Sequence, residues 1–205
     1  MPKSTFSESD MYLLKNWPAA CRLEEAMNAV RQRYATVIGD AAKSLVDRLG
    51  EGEYVQEVSP TQKWGSGTIA FWIKNWDEIE PKGNGPYFCI GGLRLELLLS
   101  YEAPTGETPL PFACLCTKNL KKAGWDLAKL KDRIETSAAI GLADFPKRSS
   151  ENEREPVRYD LPEGRAELRR LLLEDRAGFI NLLVSHGERL AELAPVLTKV
   201  LADNK

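Results

Sequence analysis

A single histidine among 205 residues leaves the chain short of the commonest catalytic proton carrier. Triads built on an imidazole, and metal sites rich in histidine, have almost no material to work with. His186 itself stands in a leucine-rich stretch before Gly187, where a structural or simply exposed side chain is the plainer reading. An excess of charge is missing too. Twenty-eight Lys and Arg against 30 Asp and Glu leave a net charge of −2, so no global field draws in nucleic acid or an anionic membrane. Long apolar runs are absent, and the polar opening Met1-Pro2-Lys3-Ser4-Thr5 is not followed by the apolar segment of a secretion signal or a membrane span. Cysteine is sparse. Of Cys21, Cys89, Cys114 and Cys116, three fall on apparent strands, which predicts reduced core thiols in a cytoplasmic protein and not a disulfide framework. There is no phosphate-cradling loop, because Gly65-Ser66-Gly67 precedes a strand and lacks the helix and lysine that would follow. Internal repeats and low-complexity tracts are also lacking.

What the chain does have is an α+β pattern. Ser7-Glu8-Ser9-Asp10 has the spacing of a capping box ahead of a short helix bearing Met11, Leu13 and Leu14. Pro18 ends that helix and suits the first turn of the next. From there Leu23, Met27, Val30, Tyr34, Val37, Ala41 and Leu45 recur at steps of four and three. They predict one apolar stripe on a helix of roughly eight turns that ends near Gly50. The stripe can pack across a sheet. It can also pair with a copy of itself, as a sustained four-three repeat does in coiled coils, although Ala41 and Tyr34 weigh against that.

Strands are expected at Glu53 to Val58, Thr68 to Trp76, Pro86 to Leu99, Phe112 to Thr117 and Val157 to Leu161, where β-branched and aromatic residues gather between turn formers. Gly91-Gly92 inside the third fits either a bulge or a tight turn. A second amphipathic helix is expected over about Trp125 to Ala139, and from Pro162 the chain turns helical, broken near Gly178 and kinked near Pro195. The predicted fold is an α+β domain over residues 1–161, an antiparallel sheet of four to five strands with a long N-terminal helix and a covering helix. A C-terminal helical hairpin over 162–205 packs on the same domain.

Three features bear on function. Alternation along the aromatic strand places Thr68, Ala70, Trp72, Lys74 and Trp76 on one face and Ile69, Phe71 and Ile73 on the other. The second set is core. The first suits a surface that meets a partner, with Trp64 and Tyr87 extending it, unless a helix covers it and satisfies the indole nitrogens at its rim. Next, Lys118, Lys121, Lys122, Lys129, Lys131 and Arg133 concentrate positive charge that could hold phosphates, though amphipathic helices ordinarily turn lysine to solvent. Last, Glu80-Pro81-Lys82 spells the acid-x-lysine ending of metal-dependent nucleases, with Asp77 and Glu78 nearby. It lies in a loop beside a proline, so an acidic solvated turn is the simpler account. Cys114 and Cys116 share a strand face and Cys89 lies on a neighbouring strand, where core packing is preferred over zinc.

These readings converge on a non-catalytic interaction protein with no metal and no cofactor. It is expected to contact a protein partner through Trp64, Trp72, Lys74, Trp76 and Tyr87, with the long helix available as a homodimer seam. The alternative is a nucleic-acid-associated protein using Lys118, Lys121, Lys122, Lys129 and Arg133, with a degenerate nuclease-like centre.

Overall fold

A computed structural model describes residues 7–50, 52–58, 66–76, 85–99, 110–138 and 154–203. Helix α1 (Glu8–Lys15) starts at the capping box: the Ser7 hydroxyl accepts from the Asp10 N–H at 3.2 Å, and the Asp10 carboxylate accepts from the Ser7 N–H at 2.8 Å. Two amides that no helical carbonyl reaches are thereby satisfied. Asn16 closes α1 and directly precedes α2 (Trp17–Leu49), a helix of 33 residues with Pro18 in its first turn, where the missing N–H breaks no hydrogen bond.

Five strands follow: β1 (Tyr54–Val58), β2 (Ser66–Ile73), β3 (Tyr87–Arg94), β4 (Phe112–Cys116) and β5 (Val157–Asp160). They form one antiparallel sheet in the order β1-β2-β3-β4-β5. The Gly91-Gly92 pair is a bulge. Gly67 pairs with Leu93 and Ile69 with Ile90, so Thr68 on β2 faces two residues on β3. Gly92 takes φ 74°, a conformation that a side chain would resist. The strand expected to run to Leu99 stops at Arg94. Beyond the bulge, Leu95–Leu99 forms the short helix α3, where leucine is a good helix former and Leu95 and Leu98 are buried three positions apart.

A 3₁₀ turn (Leu120–Ala123) leads to α4 (Leu127–Ala138), and after β5 come α5 (Gly164–Glu174), α6 (Arg176–Ala191) and α7 (Ala194–Ala202). The break expected near Gly178 falls at Asp175, whose carboxylate accepts the Gly178 N–H at 2.9 Å and caps α6. Pro195 opens α7 instead of kinking a longer helix.

The inner sheet face carries Ile69, Phe71, Phe88, Ile90, Ala113, Leu115, Val157 and Tyr159, all buried. Helix α2 covers β1 and β2, α6 covers β3 and β4, and the two helices pack on each other. Residues from Tyr34 to Leu201 join a single hydrophobic core, and the C-terminal helices supply Leu168, Phe179, Leu183, Leu190 and Leu197 to it. The α2/α6 contact depends on Gly187. A Cβ there would stand 2.5 Å from Leu45 Cδ2, and Leu45 is itself buried in the core with no room to retreat. Gly187→Ala is therefore expected to lower stability by about 1–3 kcal/mol through overpacking, outweighing the helix propensity gained. A denaturant midpoint that stays put or rises would show that the helices do not approach so closely.

Candidate functional site

The opposite sheet face has a different chemistry. Following the register outward from Trp72, which pairs with Val55, this face carries Ala70, Cys89, Cys114 and Arg158 in successive strands, with Ala70 opposite Cys89, Cys89 opposite Cys114 and Cys114 opposite Arg158. Cys89, Cys114 and Cys116 are buried as a cluster of their own, with Tyr87 and Phe112 packed against them. Cys89 and Cys114 act on each other's proton affinity through their thiols, as do Tyr87 and Cys116 through hydroxyl and thiol, with Cys114 and Tyr87 on the donating side. Lys118 lies 5.7 Å from the Tyr87 ring centroid and Arg158 lies 3.8 Å from that of Phe112, both within cation–π range. Arg158 also pairs with Glu155 at 2.6 Å.

These contacts set the proton affinities. The hydrogen bond from Cys114 is the main influence holding the Cys89 thiol below its ordinary value, against burial and Glu155, with smaller contributions from Lys118 and Arg158. The same bond, then burial, raises Cys114. Burial raises Cys116, against the hydrogen bond from Tyr87. Among the described residues, no group of three His, Cys, Asp or Glu side chains is placed to hold a metal ion.

The residues expected to form an aromatic contact surface are dispersed. Trp76 is the correction. The strand ends at Ile73 and the chain turns at Lys74 and Asn75, so the two-residue alternation does not reach it. Trp76 is fully buried, tilted against Phe88 at 5.5 Å, and its Nε1–H donates to Thr198 Oγ1 on α7 at 3.0 Å. Trp72 does stand on the outer face, half-buried against the margin of the core, and its indole nitrogen is buried with no partner among the described residues. Lys74 is exposed in the turn and Tyr87 is half-buried beside Cys116. Trp64 lies outside the described residues, as do Asp77, Glu78, Glu80 and Lys82 of the acid-x-lysine segment.

The basic residues are spread over the turn at Lys118, the 3₁₀ turn and α4. Lys118, Lys121, Lys129 and Arg133 are exposed, and the side chain of Lys122 lies outside the described set. Lys129 pairs with Asp126 at 3.7 Å and Lys131 with Glu135 at 3.7 Å, which offsets part of their charge.

His186 is buried. Its Nε2 lies 3.0 Å from Glu163 Oε2 and its Nδ1 3.2 Å from the Tyr159 hydroxyl, while the Arg189 guanidinium lies 5.6 Å from the Tyr159 ring centroid. The contacts tie β5, the start of α5 and α6 together. Burial pushes Tyr159 up to about 12. No sequence spacing could have revealed this arrangement, because its three members come from separate elements.

The largest departure from a closed surface is the N-terminal arm. Met11, Tyr12, Leu13, Leu14, Trp17, Leu23, Met27 and Val30 are all exposed, eight of the ten large hydrophobic side chains in that state among the described residues. The apolar stripe of α2 is thus divided. Tyr34, Val37, Ala41 and Leu45 are buried on the domain, and Tyr34 donates to the Leu93 carbonyl at 2.6 Å. Leu23, Met27 and Val30 continue the same stripe into solvent.

No protein-family model matches this sequence, and no curated protein and no solved structure matches it significantly. Fold and site therefore define the chain as an α+β protein with a five-stranded antiparallel sheet, a long N-terminal helix and a C-terminal helical pair. No helix among the described residues is long and apolar enough to cross a membrane.

The two tryptophans differ in kind, which a stability measurement will register. Trp76→Ala is expected to cost about 3–5 kcal/mol, the usual range for emptying a large core site. Trp72→Phe removes an indole N–H that is buried without a partner, and is expected to change stability by less than about 0.5 kcal/mol. Equal losses in urea denaturation would contradict the separate placement of the two rings.

Proposed function

We propose that the protein is a non-catalytic interaction module, and that its contact surface is the N-terminal arm, where a second copy of the chain pairs with α2 in antiparallel fashion. The observation that carries this reading is the continuous apolar stripe Leu23, Met27 and Val30, exposed by 62%, 45% and 46% on a helix whose later turns are packed. Exposed apolar surface gathered on one element marks an interaction site far more often than scattered apolar residues do.

Of the exposed residues, Leu23 and Val30 take one core position of a heptad and Met27 the other, while Tyr34, Val37 and Ala41, at the next positions of the repeat, are packed on the chain's own domain. An antiparallel pair with Met27 against Val30 of the second copy sets Glu24 against Arg31 of that copy. The two-fold relation repeats the pair. A parallel pair would instead set Glu24 against Ala19 and Arg31 against Ala26, with no complementary charge. Trp17 and the α1 side chains Met11, Leu13 and Leu14 add apolar area at the ends. The segment upstream of Tyr34 runs about 25 Å, a length over which two arms can bury a seam of ordinary dimer size. Free thiols fit a reducing compartment such as the cytoplasm.

Two other surfaces support a partner less well. The aromatic sheet face loses Trp76 to the core and keeps Trp72, Lys74 and Tyr87, of which only Lys74 is fully exposed. A nucleic-acid surface on the basic segment has two of its lysines paired with carboxylates.

Sedimentation of the full chain is expected to give a dimer, with Met27→Glu monomeric and unchanged in circular dichroism. Glu24→Arg is expected to weaken association roughly tenfold through two lost pairs, and Arg31→Glu added to it to restore association. Arg31 also meets Glu96 at 3.4 Å, an exposed pair whose loss costs little. A wild-type monomer, or a dimer indifferent to Met27→Glu, would overturn the reading.

A further inference from the structure

The outer sheet face supports a second proposal, from observations independent of the arm. Cys89 and Cys114 are direct partners across β3 and β4. Opposed residues of antiparallel strands have Cα atoms about 4.5–5.5 Å apart, inside the range of about 4.4–6.8 Å that a disulfide spans. Both side chains belong to one buried cluster on this sheet face, and each shifts the proton affinity of the other. The other pairings on this face fit less well. Cys114 and Cys116 are next-but-one on a single strand, about 6.6 Å apart with parallel side chains, and the Cys116 thiol is engaged by Tyr87. Cys89 and Cys116 are diagonal neighbours, about 7–8 Å apart.

We propose that Cys89 and Cys114 form a redox pair that closes to a cross-strand disulfide on meeting a hydroperoxide, with Cys89 as the attacking sulfur and Cys114 as the resolving one. The roles follow from their surroundings. Cys89 is the less enclosed of the two, at 8% exposed against 2%, and it receives the hydrogen bond that Cys114 donates. The Cys114 contact chiefly favours its thiolate, which is the nucleophilic form, with smaller help from Lys118 and Arg158, while burial and Glu155 oppose it.

In the first step the Cys89 thiolate attacks one peroxide oxygen and the O–O bond breaks. The departing oxygen takes up a proton and leaves as water, or as the alcohol from an organic peroxide, and Cys89 becomes a sulfenic acid. In the second step the Cys114 sulfur attacks the Cys89 sulfur. The S–S bond forms, the S–O bond breaks, and the sulfenic oxygen leaves as water with the proton of Cys114. Two thiols lose two electrons to one peroxide, and a small dithiol returns them by exchange.

The test uses the full reduced chain and an equimolar amount of hydrogen peroxide. Thiol titration is expected to fall from four free cysteines to two. Peptide mapping should find a Cys89–Cys114 link, and dithiothreitol should restore all four thiols. In Cys114→Ser, checked for folding by circular dichroism, dimedone is expected to trap a sulfenic acid at Cys89. The proposal is overturned if the wild-type chain keeps Cys89 and Cys114 as thiols while Cys21 reacts. It is equally overturned if the bond that forms includes Cys116 or Cys21, and the wild-type map alone decides between these outcomes.

Discussion

Helix α2 is longer than the sheet it covers, and the organisation of the molecule follows from that mismatch. Thirty-three helical residues extend about 50 Å, whereas strands of at most eight residues extend about 27 Å. Only the part from Tyr34 to Leu45 is buried against the domain. There the apolar stripe is satisfied by the sheet and by α6. Upstream, Leu23, Met27 and Val30 of the same stripe are exposed among the described residues, beyond the part of the sheet that α2 and α6 cover.

The two faces of the sheet express a division of labour. The inner face is closed by helices whose approach is as tight as a glycine permits, with Gly187 against Leu45 and Gly67 against Ile38. The core continues past the sheet's end, where Trp76 is held between Phe88 and Thr198. The outer face is dominated by thiols, aromatic rings and two cations, and its groups satisfy one another through sulfur hydrogen bonds and cation–π contacts instead of aliphatic packing.

Much of the architecture was readable from local chemistry. The Ser7 and Asp10 spacing announced α1, Pro18 marked the boundary with α2, and the step of four and three located the helix stripe. The five strands were visible as runs between turn formers. What local patterns could not supply was where each regular element gives way. Carried past Ile73, alternation places Trp76 on the outer face, and Leu95–Leu99 suits strand or helix alike by its leucines, so that only the bulge at Gly92 decides. The Glu163, His186 and Tyr159 contact joins residues remote in sequence, and periodicity has no access to such pairings. The alignment of Cys89 with Cys114 likewise depends on register between strands. The stripe on α2 was legible as a whole, but its division into a packed half and an exposed half was not, because that requires knowing how far the sheet extends.

The claim that the arm is completed by a second copy is tested most directly by amide hydrogen exchange of the full chain at two protein concentrations. Amides between Val37 and Leu45, protected by the chain's own core, should exchange at the same slow rate in both samples. Those between Leu23 and Val30 should be protected when the protein is concentrated and exchange rapidly after dilution, because only a partner shields that segment. Exchange from Leu23 to Val30 that is equally fast, or equally slow, at both concentrations would contradict the account.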